Sequence, residues 1–240
     1  NTVDFDHSSG VNSISSNGGF DSYVTKYDSS GTMIWTKSYG GSSHVVWPTL
    51  DIDTNENIYL CGRFGGTTDF NPGPGVNNLG TTFGSNDAYI LKLNSQGDFN
   101  WVNRIGGSGT EEINAVEVTE NNEVYITGQF WYDATIGFPT PIETLNSAGG
   151  VDILIAKADT SGNFLWAKGL GTADHQFGED IAVDHEGIVH VVSSNKGYDP
   201  NPGQSYPGVI GGDYSFHIVG YDSIGNYVYS HATEPLELAG

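Results

Sequence analysis

Asp21-Ser-Tyr-Val-Thr-Lys-Tyr-Asp28-Ser-Ser-Gly31-Thr-Met-Ile-Trp35 decides the fold, because the chain writes it again. It returns as Asp87-Ala-Tyr-Ile-Leu-Lys-Leu-Asn94-Ser-Gln-Gly97-Asp-Phe-Asn-Trp101, and as Asp152-Ile-Leu-Ile-Ala-Lys-Ala-Asp159-Thr-Ser-Gly162-Asn-Phe-Leu-Trp166. A worn fourth copy reads Ser215-Phe-His-Ile-Val-Gly-Tyr-Asp222-Ser-Ile-Gly225-Asn-Tyr-Val-Tyr229. The aromatic anchors at 35, 101, 166 and 229 stand 63 to 66 residues apart. A fixed period of that length marks stacked supersecondary units.

Each copy reads as four short strands. Strand A is the run that carries Lys26, Lys92 or Lys157, and strand B carries the Trp. The Asp-x-x-Gly segment between them predicts a tight turn, with glycine where a positive φ is needed. Strand C follows at Thr49–Asp53, Ala115–Thr119 and Asp180–Asp184, and strand D at Ile58–Gly62, Val124–Gly128 and Ile188–Val192. Four antiparallel strands per repeat describe a propeller blade. Composition agrees: 34 glycines disfavour long helices, while 12% aromatic residues with Val and Ile suit half-buried strands.

The formal net charge is −21, from 8 Lys+Arg against 29 Asp+Glu. Such a surface repels a phosphate backbone, so nucleic acid is not an expected partner. No run is long and apolar enough to predict insertion in a membrane. The single cysteine, Cys61, allows no intrachain disulfide. The expectation is a secreted or cell-surface protein kept soluble by self-repulsion.

The D-x-x-[VI]-x-K-x-[DN]-x-x-G-x-x-x-W line, the Gly-Gly pair after it and the [IV]-Y-[LI]-x-G of strand D resemble the bacterial seven-bladed β-propeller repeat family. The loop Asp69-Phe-Asn-Pro-Gly-Pro-Gly75 resembles its long-loop version in surface and secreted proteins of Bacteroidetes-type bacteria. The departures are Gly220 for Lys and His190 for Tyr. The resemblance implies an all-β propeller scaffold, often extracellular, and no particular chemistry.

Blade repeats are expected at about 4–68, 69–135, 136–198 and an incomplete 199–240. Asp4-Phe5 is equivalent to Asp69-Phe70, and the residues after Tyr229 are too few for strands C and D. An arc of three blades and part of a fourth should not close alone. Either the remainder of a longer propeller chain or a second chain is expected to complete the ring, since open sheet edges invite pairing.

A site is expected on the face that carries the B–C loops and the long D-to-A segments at 63–86, 129–151 and 195–213. Trp131, Tyr132 and Asp133 break the repeat there; exposed aromatic residues stack on sugars or anchor a protein. The competing reading packs them under their own loop. Trp47 also falls off the repeat. His44 and His175 occupy similar B–C loops, and Glu111 opens a third as a candidate carboxylate. Trp35, Trp101 and Trp166 are expected to pack between blades, and the in-register lysines to meet carboxylates.

Metal and catalytic motifs are thin. Asp51-x-Asp53-x-Asn55-x-Asn57 resembles the start of a calcium loop, but Glu56 stands where glycine is needed and Gly62 where the bidentate Glu belongs. Calcium is therefore only a weak expectation, and no other cofactor is. The Asp-x-x-Gly spacing also fails the pattern of sialidase Asp boxes. A non-enzymatic recognition or scaffolding module that binds a protein or glycan is the leading expectation. Its alternatives are a carbohydrate-active hydrolase or lyase using loop carboxylates, and a structural spacer in an adhesin or filament.

Overall fold

A computed structural model describes residues 2–6, 10–195 and 215–232. Every regular element among them is a β-strand, and every paired strand is antiparallel. The chain opens with a small hairpin of β1 (Thr2–Asp4) and β2 (Ser13–Ser15). The A and B strands of the first copy follow as β3 (Ser22–Tyr27) and β4 (Met33–Gly41), joined by the Asp28 turn. Next, β5 (Val45–Ile52) and β6 (Ile58–Gly65) supply C and D, and a second small hairpin is β7 (Thr67–Asp69) with β8 (Asn78–Gly80).

The second copy provides β9 (Asn86–Leu93), β10 (Phe99–Gly106), β11 (Glu111–Val118) and a long β12 (Glu123–Ile136). The third provides β13 (Glu143–Asp159), β14 (Phe164–Leu170), β15 (Gln176–Val183) and β16 (Val189–Asn195). The fourth adds β17 (Ser215–Tyr221) and β18 (Tyr227–Ala232).

Hydrogen bonding groups these strands half a repeat out of step with the sequence copies. Strand D of one copy pairs with strand A of the next along its whole length, as β6 does with β9, β12 with β13 and β16 with β17. Strands B and C of a single copy share no ladder. The sheets are therefore β5-β6-β9-β10, β11-β12-β13-β14 and β15-β16-β17-β18, preceded by the pair β3-β4. Grouping A to D of one copy as a sheet is thus corrected: the connection from B to C is what passes from one sheet to the next. These four-stranded antiparallel sheets fit a β-propeller-like architecture.

The aromatic anchors fasten each sheet to its successor. Trp101 Nε1–H and Lys92 Nζ both donate to the Thr160 carbonyl, each at 3.0 Å. One sheet on, Trp166 Nε1–H (3.2 Å) and Lys157 Nζ (2.9 Å) both donate to the Ser223 carbonyl. Each acceptor belongs to the A–B turn of the following copy. The turn's glycine lies flat on the indole: a Cβ on Gly162 would stand 3.0 Å from the Trp101 ring, and one on Gly225 3.2 Å from Trp166. Their φ angles of 87° and 86° favour glycine independently. The repeating Gly is thus required twice, for the turn and for the close approach.

The lysines meet carboxylates as well as carbonyls. Lys157 Nζ lies 2.6 Å from Glu123, Lys92 3.8 Å from Asp53, and Lys26 2.8 Å from Glu56. Lys92 and Lys157 also sit over the rings of Tyr59 and Tyr125. The fourth copy departs in a compensated way. Gly220 leaves room for Tyr229, whose ring would lie 2.2 Å from a Cβ there. The Tyr229 hydroxyl meets His190 Nδ1 at 2.5 Å, and His190 Nε2 meets Asp184 at 2.9 Å. Gly220 and His190 together therefore replace the lysine-over-tyrosine arrangement.

Two of the three long D-to-A segments are ordered hairpins that clamp neighbouring sheets. The β7 strand pairs with β4 through Gly40↔Asp69 and Gly41↔Thr68, and the end of β12 pairs with β10 through Ile105↔Ile136 and Gly106↔Thr135. Phe70, from the first of these, is buried against Phe64, Tyr89 and Tyr39. Most of the third segment lies outside the described residues.

One repeat position gives a direct test. The Lys92–Asp53 pair is buried, whereas Lys26 and Glu56 keep 35% and 67% of their side chains exposed. Lys92→Met should cost about 2–4 kcal/mol, because it removes the buried cation beside Asp53 together with the hydrogen bond to the Thr160 carbonyl. Lys26→Met should cost about 0–1 kcal/mol, as for other exposed pairs. Urea unfolding of both variants measures the difference.

Candidate recognition site

The A–B and C–D turns use up their own polar groups. Asp28 Oδ1 accepts the N–H groups of Ser30 and Thr32, and Asp159 and Asp222 repeat this two and four residues on. Asp53, the second acid of the calcium-like pattern, accepts from the backbone of Asn55 and Asn57 and from the Asn57 side chain. Asp51, the first, accepts the Val118 N–H at 2.6 Å. These carboxylates cap turns and join sheets. Among the described residues no group of three or more His, Cys, Asp and Glu side chains is arranged to hold a metal.

The opposite rim carries what does not repeat. The ladder between β12 and β13 breaks where Trp131 pairs with Val151 and Asp133 with Asn146. Tyr132 occupies the bulge with φ 63°. Trp131 is 39% and Tyr132 62% exposed, with ring centroids 6.3 Å apart. Trp131 also lies 5.4 Å from the His175 ring, which in turn stacks on Phe177 at 6.5 Å. Trp131, Tyr132 and His175 therefore form one patch with Phe177, across two sheets. Asp133 sits beside it and accepts from the Ser108 hydroxyl and, at 3.2 Å, from the Ser108 N–H.

His175 Nδ1 accepts the Val151 N–H at 3.0 Å, so the proton of the neutral ring is on Nε2. His44 does the same for the Phe20 N–H at 3.1 Å and lies 5.1 Å from the Phe20 ring. The two histidines are thus equivalent in local role, each closing its own D-to-A segment. Trp47, 59% exposed, forms a separate station: its ring carries the Arg63 guanidinium at 4.1 Å. Arg63 NH1 reaches Glu112 in the next sheet at 3.5 Å, and Gln129 donates to the same carboxylate at 3.2 Å.

Backbone conformation adds a signal that the sequence does not display. Among the described residues, five non-glycine positions have a left-handed φ: Glu56 and Asn122 in C–D turns, and Trp47, Phe83 and Tyr132 on the rim. For a bulky side chain this conformation costs of order 1–3 kcal/mol. All three rim aromatics are exposed, Phe83 most of all, so burial of the ring does not offset the strain.

Glu111 belongs to the interior. Its side chain is fully buried at the start of β11, with Oε2 accepting the Gly107 N–H at 2.8 Å. Burial, reinforced by the nearby charge of Asp87, raises its pKa to about 9. Burial likewise raises Asp87 to about 6. The third copy supplies a neutral counterpart: Gln176 Oε1 accepts the Thr172 N–H in the same place. Glu111 therefore acts as a protonated structural acid and does not line the rim.

The comparisons with known proteins are distant. No protein-family model matches the chain. Regulatory protein FlaEY of Caulobacter vibrioides is 23% identical over 170 residues, covering 69% of this chain and 17% of its own length. A WD repeat-containing protein of Acanthamoeba polyphaga mimivirus is 26% identical over 200 residues, covering 72% of this chain and 14% of its own. The chain thus spans well under a quarter of either relative. The second similarity fits the repeated antiparallel sheets.

Glu111 gives the stability of the fold a pH dependence that can be removed. Its proton is held in the folded state to about pH 9, while the unfolded chain loses it near the ordinary glutamate value. The unfolded state binds fewer protons across that interval, so stability falls as pH rises through it. Glu111→Gln should raise the melting temperature at pH 8 and leave it almost unchanged at pH 4. Thermal unfolding at the two pH values checks this.

Proposed function

We propose that this chain is a non-enzymatic recognition module, part of a propeller-like domain in a longer secreted or cell-surface protein, and that it binds a protein or glycan through the rim of long D-to-A segments. The observation that carries this reading is the set of exposed aromatic residues held in a strained backbone, Trp47, Phe83 and Tyr132. Strain of this kind persists where the surrounding structure over-determines it, and it clusters at binding sites. Trp131 and Tyr132, backed by His175 and Phe177, offer a pre-ordered apolar surface with a polar margin at Asp133. Rings fixed in advance lose little entropy when a partner arrives.

Similarity to a WD repeat-containing protein supports the protein-binding side of the proposal, and the charge of −21 supports an extracellular setting. The narrower assignment to the seven-bladed bacterial repeat family, with its blade count, belongs to the same proposal. A hydrolytic reading would need accessible loop carboxylates, and the burial of Glu111 removes its leading candidate.

Trp131→Ala combined with Tyr132→Ala should leave the melting temperature within a few degrees of the original. Binding to a ligand found on protein and glycan arrays should weaken by about 30-fold or more, the scale of an aromatic hot spot. Unchanged affinity for every ligand found would move the site elsewhere.

A further inference from the structure

Four separate irregularities surround the first strand pair, and a single missing object accounts for all of them. In the other three sheets strand A lies between a strand D and a strand B: β9 between β6 and β10, β13 between β12 and β14, β17 between β16 and β18. Among the described residues β3 pairs with β4 alone, and no ladder among them covers the other edge along Ser22–Lys26.

Beside that edge lies an apolar cleft of about 190 Å³ lined by Phe5, Ile14, Phe20 and Tyr23. Phe5 and Tyr23 stand 4.4 Å apart there, as Phe70 and Tyr89 stand 4.9 Å apart in the next sheet. In that sheet Phe64 of strand D completes the cluster, 5.2 Å from Phe70 and 6.3 Å from Tyr89. The first cleft keeps the Phe5 and Tyr23 walls, but its remaining phenyl ring, Phe20, is 67% exposed, and among the described residues no strand D supplies a counterpart of Phe64.

Below it, a second cleft of about 430 Å³ is lined by Lys26, Trp35, Leu50 and Ile52 among others. Leu50 and Ile52 are each 53% exposed, whereas Val116 and Val118, at the same places in β11, are buried in one core cluster with Tyr59 and Cys61 of the preceding strand D. Lys26 shows the fourth irregularity. The side chains of Lys92 and Lys157 are 8% and 7% exposed beneath a strand-D tyrosine, while that of Lys26 is 35% exposed.

We infer that β3 is the acceptor of a C–D β-hairpin supplied from outside the described residues. The internal ladders fix the chemistry of its second strand. Tyr59 pairs with Lys92 and Tyr125 with Lys157; Gly62 pairs with Tyr89; Phe64 pairs with Asp87 and Phe130 with Asp152. Carried to β3, these registers place a tyrosine opposite Lys26, a glycine opposite Tyr23 and a phenylalanine opposite Asp21. The occupant reads [IV]-Y-[LI]-x-G-x-F, as do Ile58–Phe64 and Val124–Phe130. An intact second copy of this chain does not supply it, because β6, β12 and β16 are already paired on their A-strand side. The occupant is therefore a further repeat of the same type, and chains several times this length are what the relatives provide.

The test tethers a second copy of residues 111–130, the chain's own C–D hairpin, ahead of residue 2 through a flexible linker. Amide hydrogen exchange is then followed in β3. Exchange at Ser22–Tyr27 should slow by about 100-fold, as expected when an exposed edge joins a cooperative sheet, and the melting temperature should rise. A tethered hairpin in which the added tyrosine and phenylalanine are changed to serine should give neither effect. Amides of β13, inside a complete sheet, report in every sample that the protein is folded. Unchanged exchange in β3, or equal protection by the serine hairpin, would overturn the inference. So would β3 amides already protected in an untethered chain that sediments as a dimer, since the occupant would then be a second copy. None of these results depends on Trp131 or Tyr132, so the acceptor edge and the rim succeed or fail separately.

Discussion

Everything in this arrangement depends on one contact: an indole and a lysine from one sheet closing on the A–B turn of the next. Trp101 and Lys92 give both of their donors to a single carbonyl, Thr160, and Trp166 and Lys157 do the same at Ser223. A carbonyl with two lone pairs can accept both, and its half-buried position makes each bond costly to lose. The turn comes this close only because its apex is glycine, and the turn keeps its shape only because an aspartate or asparagine caps it. Four repeat positions, the lysine, the turn cap, the glycine and the tryptophan that fall within ten residues of each copy, are thereby parts of one joint.

That joint explains why the repeated residues are poor candidates for function. Their polar groups are spent on holding sheets together, and substitution of one demands substitution of others. The fourth copy illustrates this. Loss of the lysine at Gly220 is accompanied by His190 on the facing strand and by Tyr229, which occupies the space over the glycine. Rim residues are under no such demand. Trp47, Phe83 and Tyr132 differ from their counterparts, and the backbone under them is strained.

Much of this was legible in the sequence, and the reasons are specific. Period, strand type and the structural role of Trp35, Trp101 and Trp166 could be read because each repeats with its spacing intact. The equivalence of Asp4-Phe5 with Asp69-Phe70 could be read for the same reason: Asp4 and Asp69 each accept two backbone N–H groups of the hairpin that follows. The phase of the sheets could not, because A-to-D and C-to-B groupings have the same period, and only the D–A ladder distinguishes them. Nor could the fate of Glu111. A glutamate at a strand start looks like a surface acid, and only its alignment with the buried amide of Gln176 hints at a neutral role. Phe83 and Phe177 were missed because nothing in their neighbours predicts a left-handed φ or a stacked histidine. Trp131, Tyr132 and His175 were found as exceptions to the repeat, but their convergence needed three dimensions.

The joint itself can be measured by a double-mutant cycle between Trp101→Ala and Gly162→Ala, with stability read from urea unfolding. If the Gly162 turn packs flat against the indole, the methyl group of Gly162→Ala collides with it, and removal of Trp101 relieves the collision. The cost of Gly162→Ala should then be smaller by about 1 kcal/mol or more in the Trp101→Ala background, a coupling typical of residues in contact. Costs that simply add would mean that the turn and the indole do not touch, and that the sheets are held together by something else.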